Sequence, residues 1–195
     1  MGMVRIKAQD RGIFSEVRYD YKETNKLISS VQAEAISVST LSTLVKKEGG
    51  SDNIDYNETV LDMDAFSNNY CRDKCLEYIP SVDMVYVVVD KATSKNPRFQ
   101  SVEMKFNIGR IGTSNFKKQI DDIFSKFNHS KQLLLSLDEM NVCNSAMDTC
   151  YVLMNNNLVE KSKRYVSQKY PNPKSKNLPI SKLVTICDLI ALHFA

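Results

Sequence analysis

The chain has 195 residues, of which 43% are hydrophobic and 25% are charged, and its formal net charge is +3. These values are typical of a folded globular domain and exclude a fibrous or intrinsically disordered chain. The sequence has neither an apolar run long enough to span a membrane nor the apolar core of a signal peptide. We therefore expect one cytoplasmic domain over residues 1–195, without contact to a membrane.

The first third of the chain has the apolar spacing of helices. From Glu23 to Lys47, apolar residues recur at steps of three and four, which predicts an amphipathic helix that ends at two glycines. A polar loop follows. The second half of Val60–Ile79 predicts another helix, which Pro80 would end because proline disfavours a helical conformation in the residue before it.

Two strands are predicted in the middle of the chain. Val82–Val89 is apolar on both faces, which is typical of a strand in the centre of a covered sheet. After a turn-rich linker, Phe99–Ile108 alternates between apolar residues and the polar residues Glu103, Lys105 and Asn107. This alternation predicts a half-buried strand with one polar face.

The rest of the chain predicts a helix from Thr113 or Ser114 to Phe127, followed by strands near residues 132–137 and 150–154. A basic segment over 159–182 and a closing helix over 180–194 complete the order. We therefore predict an α/β fold with a small mixed sheet flanked by helices. Its core would lie roughly within residues 23–140, with the basic segment and last helix appended over 159–195.

Three charges interrupt the two predicted strands. If the strands form an antiparallel hairpin centred near Ser94, Asp83 faces Lys105 and Val85 faces Glu103. Because side chains alternate along a strand, all three charges then lie on one face of the sheet. Asp83 and Glu103 would be diagonal neighbours with Cβ atoms about 7 to 8 Å apart, close enough for both carboxylates to bind one cation such as Mg²⁺.

An aspartate at the start of an apolar strand, followed by Glu-x-Lys in the next strand, resembles the motif of the PD-(D/E)xK superfamily of restriction-endonuclease-like nucleases. The resemblance implies a restriction-endonuclease-like core. It implies that Asp83, Glu103 and the backbone carbonyl of Met104 bind Mg²⁺ or Mn²⁺, and that Lys105 assists catalysis at the scissile phosphate.

The resemblance also implies a glutamate on the first core helix, for which Glu34 and Glu77 are both candidates. The Pro-Asp pair that gives the superfamily its name is not intact, because Pro80 stands three residues before Asp83.

Candidate contacts to a phosphate backbone lie in two places. Lys117 and Lys118 stand at the start of the predicted helix after the motif. Four further basic residues stand in the basic segment, namely Lys161, Lys163, Arg164 and Lys169.

Together these features predict a metal-dependent endonuclease that acts on DNA, and a homodimer that cuts both strands is left open. The alternative is a nuclease fold without activity that serves as a nucleic-acid-binding or protein-interaction module.

Overall fold

The computed structural model describes residues 17–31, 37–50, 54–108, 110–137, 149–169 and 180–195. Within these ranges the strands are β1 (Val17–Tyr19), β2 (Val38–Thr40), β3 (Thr59–Asp62), β4 (Met84–Asp90), β5 (Arg98–Met104), β6 (Thr149–Leu153) and β7 (Ile180–Val184). The helices are α1 (Tyr21–Ser30), α2 (Leu41–Lys47), α3 (Met63–Asp73), α4 (Ser114–Leu137), α5 (Asn156–Lys169) and α6 (Ile186–Leu189), which continues as a π-helix over Ile190–Phe194. The expected mixed α/β class with helices flanking the sheet is confirmed.

The described strands form one seven-stranded sheet, which is larger than the small sheet that we predicted. Along the order β2-β3-β4-β5-β6-β7, the first four strands are antiparallel, and β6 and β7 are added parallel to β5. The short strand β1 pairs with the second half of β4, on the same edge of β4 as β3. Between these two partners the amide of Val87 donates to Thr24 Oγ1 on α1 at 3.0 Å, so this stretch of the β4 edge is also hydrogen-bonded.

Strand β4 lies in the centre of the sheet, as its two apolar faces predicted. Val85 and Val87 pack against residues of α1, α3, α4 and α5 on one face. Met84, Tyr86 and Val88 pack against residues of α2 and α6 on the other face. Helices therefore cover both faces of β4, and the neighbouring acids Asp83 and Glu103 are buried as well.

The predicted continuous helix from Glu23 to Lys47 is wrong. Its described parts are α1, the short strand β2 and α2, and residues 32–36 lie outside the described ranges. Thr40 ends β2 and caps α2, because its side-chain oxygen accepts from the amide of Thr43 at 3.2 Å. A strand of three residues is too short to disturb an apolar spacing of three and four, which explains the error.

Three other predicted elements are also corrected. The helix predicted in the second half of Val60–Ile79 lies over Met63–Asp73 instead, so it ends seven residues before Pro80 and is not ended by it. Residues 132–137 are the last turns of α4 and not a strand, with Leu133 and Leu134 buried and Leu135 46% exposed. The predicted closing helix begins as strand β7, and only residues from Ile186 onward are helical. Short apolar runs fit a buried strand and a buried helix equally well, so their spacing could not separate the two.

Candidate active site

The hairpin of β4 and β5 sets the positions of the predicted site residues. Met84 pairs with Val102, so the next pair outward places Asp83 opposite Glu103. The expected pairing of Asp83 with Lys105 is therefore wrong by two residues. A shift of two positions keeps the side chains on the same face of the sheet, so Asp83 and Glu103 still share one face, as required for a joint site.

The turn between the strands explains this register. The amide of Ser94 donates to the carbonyl of Asp90 at 2.8 Å, and Ser94 and Asn96 both adopt positive φ angles of 53° and 57°. The Asp90 carboxylate accepts from Asn96 Nδ2 at 2.6 Å and pairs with Arg98. These contacts centre the hairpin at residue 93, one residue before the predicted centre at Ser94. As a result, each residue of β4 pairs with a residue of β5 two positions earlier than predicted.

The face of the sheet that carries the two acids is buried. Glu103 is 0% exposed and Asp83 is 5% exposed, so β5 is buried on both faces and the prediction of a half-buried strand is wrong. Helix α4 covers this face, and Ser130 Oγ on α4 accepts from the amide of Val82 at 2.9 Å. The sequence predicted this helix only as far as Phe127, so it missed the contact of Ser130.

The two carboxylates form a network with two lysines. Asp83 Oδ2 accepts a short hydrogen bond from the backbone amide of Met104. Glu103 Oε1 accepts from Lys105 Nζ and, at 2.9 Å, from Lys126 Nζ, which also lies 3.9 Å from Asp83 Oδ1. Glu103 Oε2 is buried and has no hydrogen-bond partner in the described part of the chain.

This network shifts the titration of its members. Burial and, next in size, the neighbouring Glu103 carboxylate together raise the pKa of Asp83 to about 8. Burial acts against the charged form of Lys126, but Glu103 and Asp83 outweigh it and raise the pKa of Lys126. At neutral pH, therefore, Lys126 is charged and Asp83 is the acid that tends to hold a proton.

Sequence reasoning missed Lys126, although its position carried a signal. Lys126 follows Ile123 by three residues and precedes Ser130 by four, and both of these side chains are buried. On a helix such neighbours share a face, so Lys126 lies on the side of α4 that packs on the sheet.

Asp64 was also missed. It lies in the first turn of α3, and its Oδ1 accepts from the Ser81 hydroxyl at 2.8 Å. Its charge contributes to the raised pKa of Lys126, so Asp64 is a further acid near the network. The candidate helix acids are placed differently: Glu77 is exposed in the segment after α3, and Glu34 lies outside the described residues.

The candidate phosphate-binding residues lie on two neighbouring helices. Lys117 and Lys118 are exposed near the start of α4, and the basic residues of α5 are exposed as well, namely Lys161, Lys163, Arg164 and Lys169. Phe116 and Tyr165 pack edge to face with ring centroids 5.1 Å apart, which places the start of α4 beside α5. We call the exposed basic residues of these two helices the α4–α5 basic surface.

The chain was compared with known proteins at three levels. No family model, curated protein or solved structure matches it. Within the described residues, no helix is long and apolar enough to cross a membrane.

The number and the chemistry of the ligands decide whether Asp83 and Glu103 could hold a hard divalent cation. The described ranges contain no group of three or more His, Cys, Asp or Glu side chains able to hold a metal ion. Magnesium, however, is commonly held by one or two carboxylates, with waters and substrate phosphates as its other ligands. Within the described ranges, the buried Oε2 atom of Glu103 has no donor, and it is an acceptor of the kind that such an ion requires.

Proposed function

We propose that the protein is a metal-dependent nuclease that hydrolyses phosphodiester bonds in DNA. Asp83 and Glu103, with the backbone carbonyl of Met104, would hold Mg²⁺ or Mn²⁺, and Lys105 would assist at the scissile phosphate. The observation that carries the proposal is the buried, unpaired Oε2 atom of Glu103 across from Asp83, as judged over the described residues. A buried carboxylate oxygen without a partner is costly, and a hard cation would remove that cost.

The order of elements around the site supports the same proposal. Strands β3, β4 and β5 are consecutive antiparallel neighbours, and β6 joins β5 in parallel after the crossover helix α4. The resemblance to the PD-(D/E)xK superfamily implies a second core helix and a fourth strand after the motif. We assign these places to α4 and β6, instead of the strand predicted at residues 132–137.

The residues around the proposed metal site would have distinct roles in hydrolysis. A bound Mg²⁺ would lower the pKa of a water molecule and neutralise charge on the phosphate. The Met104 amide orients Asp83 through its hydrogen bond. The Lys105 side chain pairs with Glu103 and is 21% exposed, so its ammonium group would be available to a bound phosphate.

The α4–α5 basic surface would hold the phosphate backbone of the substrate. Lys118 precedes Lys126 by eight residues, which is about 12 Å along the helix axis. A bound strand could therefore contact both the basic surface and the carboxylates. Such contacts do not depend on base sequence, and they weaken as salt concentration rises.

The second candidate is a binding module without catalytic activity. It is favoured by the two lysines on Glu103, since they already neutralise the buried acids without a metal ion. In this case the basic surface would bind nucleic acid and the charge network would stabilise the fold alone.

A cleavage assay separates the two candidates. Purified protein is incubated with single- and double-stranded DNA and RNA in Mg²⁺, Mn²⁺ or chelator, and compared with Glu103→Gln and Lys105→Met. We expect each variant to lose at least about a hundredfold in cleavage rate. Glu160→Gln is the matched control, because Glu160 also pairs with a lysine but is exposed.

Cleavage that persists at full rate in both site variants would reveal a contaminating nuclease and refute the proposal. If the wild-type protein binds DNA but cleaves no substrate under any condition, the binding module is the better account.

A further inference from the structure

Lys126 has a different position from the lysine of the Glu-x-Lys motif. Its ammonium group lies 2.9 Å from Glu103 Oε1 and 3.9 Å from Asp83 Oδ1, so it forms ion pairs with both acids. Lys105 pairs with Glu103 through the same oxygen. Among the ion pairs of the described residues, Lys126 alone joins the two carboxylates.

The location between two carboxylates is where a shared divalent cation would bind. Because like charges in a buried site repel strongly, an ammonium group and a metal ion cannot both occupy that position. The Lys126 side chain is 21% exposed and ends a flexible four-carbon stem, so its ammonium group can reach solvent.

We propose that Lys126 is a tethered cation that occupies the metal position, so that Mg²⁺ binds only when the Lys126 ammonium withdraws. This inference rests on the proposed metal-dependent function and adds its regulation. It makes metal affinity the result of an exchange between two cations. The acids of the free protein then already hold a cation, and the metal is held more weakly than two buried carboxylates alone would hold it.

The test measures Mn²⁺ affinity directly, without an activity readout. Free Mn²⁺ is followed by electron paramagnetic resonance during titration of the wild-type protein and of Lys126→Gln, Lys105→Gln and Lys117→Gln. Lys105→Gln removes the same charge from the same Glu103 oxygen, and Lys117→Gln removes it from an exposed position on the same helix. Asp83→Asn locates the binding site, since it removes one of the two acids.

We expect Lys126→Gln to bind Mn²⁺ at least about tenfold more tightly than the wild-type protein. Lys105→Gln should give a smaller gain, Lys117→Gln no change, and Asp83→Asn a loss of binding. A second measurement uses the wild-type protein, so that it does not depend on a variant folding. In lysine-selective NMR, saturating Mg²⁺ should shift the Lys126 Nζ resonance and leave that of Lys117 in place.

The outcomes distinguish the inference from the proposed function. Mn²⁺ binding that Lys126→Gln leaves unchanged, or that Lys105→Gln tightens equally, would overturn the exchange and leave the metal site intact. An unmoved Lys126 Nζ resonance at saturating Mg²⁺ would do the same. If no protein binds Mn²⁺, both the inference and the metal-dependent function are refuted.

Discussion

The substitution Glu103→Gln tests whether the buried charge network contributes to stability. Lys126 Nζ lies 2.9 Å from Glu103 Oε1, and at an effective dielectric constant of about 20 this separation gives an attraction of about 6 kcal/mol. Desolvation of the charges offsets much of that attraction. Removing one partner of a buried pair nevertheless costs about 3 to 5 kcal/mol, because the other charge is left behind. The two lysines here are partly exposed, so we expect a loss of about 3 kcal/mol in the free energy of unfolding.

The loss is measured by urea denaturation at neutral pH without divalent cations. Glu160→Gln is the control, since the Glu160–Lys163 pair is equally short at 2.8 Å but the Glu160 side chain is 72% exposed. We expect this control to change stability by no more than about 0.5 kcal/mol. The double variant Glu103→Gln/Lys126→Gln should lose less unfolding free energy than the sum of the two single variants. The reason is that the second substitution removes the ammonium group that the first leaves unpaired. Equal losses in Glu103→Gln and Glu160→Gln would refute the reasoning.

Three further predictions concern pH and the cover of the site. Burial, with Lys182 and Lys91, lowers the pKa of His193 to about 4, so its contribution to stability is present above about pH 6.5 and lost as pH falls towards 4. His193→Phe should flatten that part of the curve of unfolding free energy against pH, and an unchanged slope would contradict the prediction. The pH dependence has the opposite sign for Asp83. Its pKa is raised, so its contribution to the free energy of unfolding is present below about pH 4 and is lost as pH rises towards about 8. Asp83→Asn should therefore gain stability relative to the wild-type protein with rising pH, by at most about 1.4 kcal/mol per pH unit in denaturation curves, and a constant difference would contradict it. Ser130→Ala should lose about 1 to 3 kcal/mol in urea denaturation because it removes the hydrogen-bond acceptor of the buried Val82 amide, and a neutral effect would show that α4 is not fixed through this bond.

The hairpin was the part of the fold that the sequence predicted best. Alternation of side chains along a strand has a period of two, so the shared face of Asp83 and Glu103 required only the correct parity of pairing. The actual register depended on the turn, where Ser94 and Asn96 adopt positive φ angles and Asp90 binds the loop. Those contacts form only in the folded turn and could not be deduced from apolar spacing.

The second half of α4 was the main part that could not be predicted. Residues 132–137 form a short apolar run, and such a run fits either a strand or the buried side of a helix. Ending α4 at Phe127 left out its buried residues Ser130, Leu133 and Leu134. The hydrogen bond from the Val82 amide to Ser130 was therefore missed, whereas Lys126 lay within the predicted helix and was missed for want of a predicted contact.

The network of Asp83, Glu103, Lys105 and Lys126 has two interpretations that one substitution separates. Lys105 and Lys126 balance Asp83 and Glu103 when all four are ionised, so the chain can fold without a metal ion. Under the proposed exchange, a divalent cation must displace the Lys126 ammonium group to bind there. If the network only stabilises the fold, Lys126→Gln will lower stability, and neither this variant nor the wild-type protein will bind Mn²⁺. If the network is a metal site held closed by its own lysine, the same substitution will lower the stability of the metal-free protein and raise its affinity for Mn²⁺.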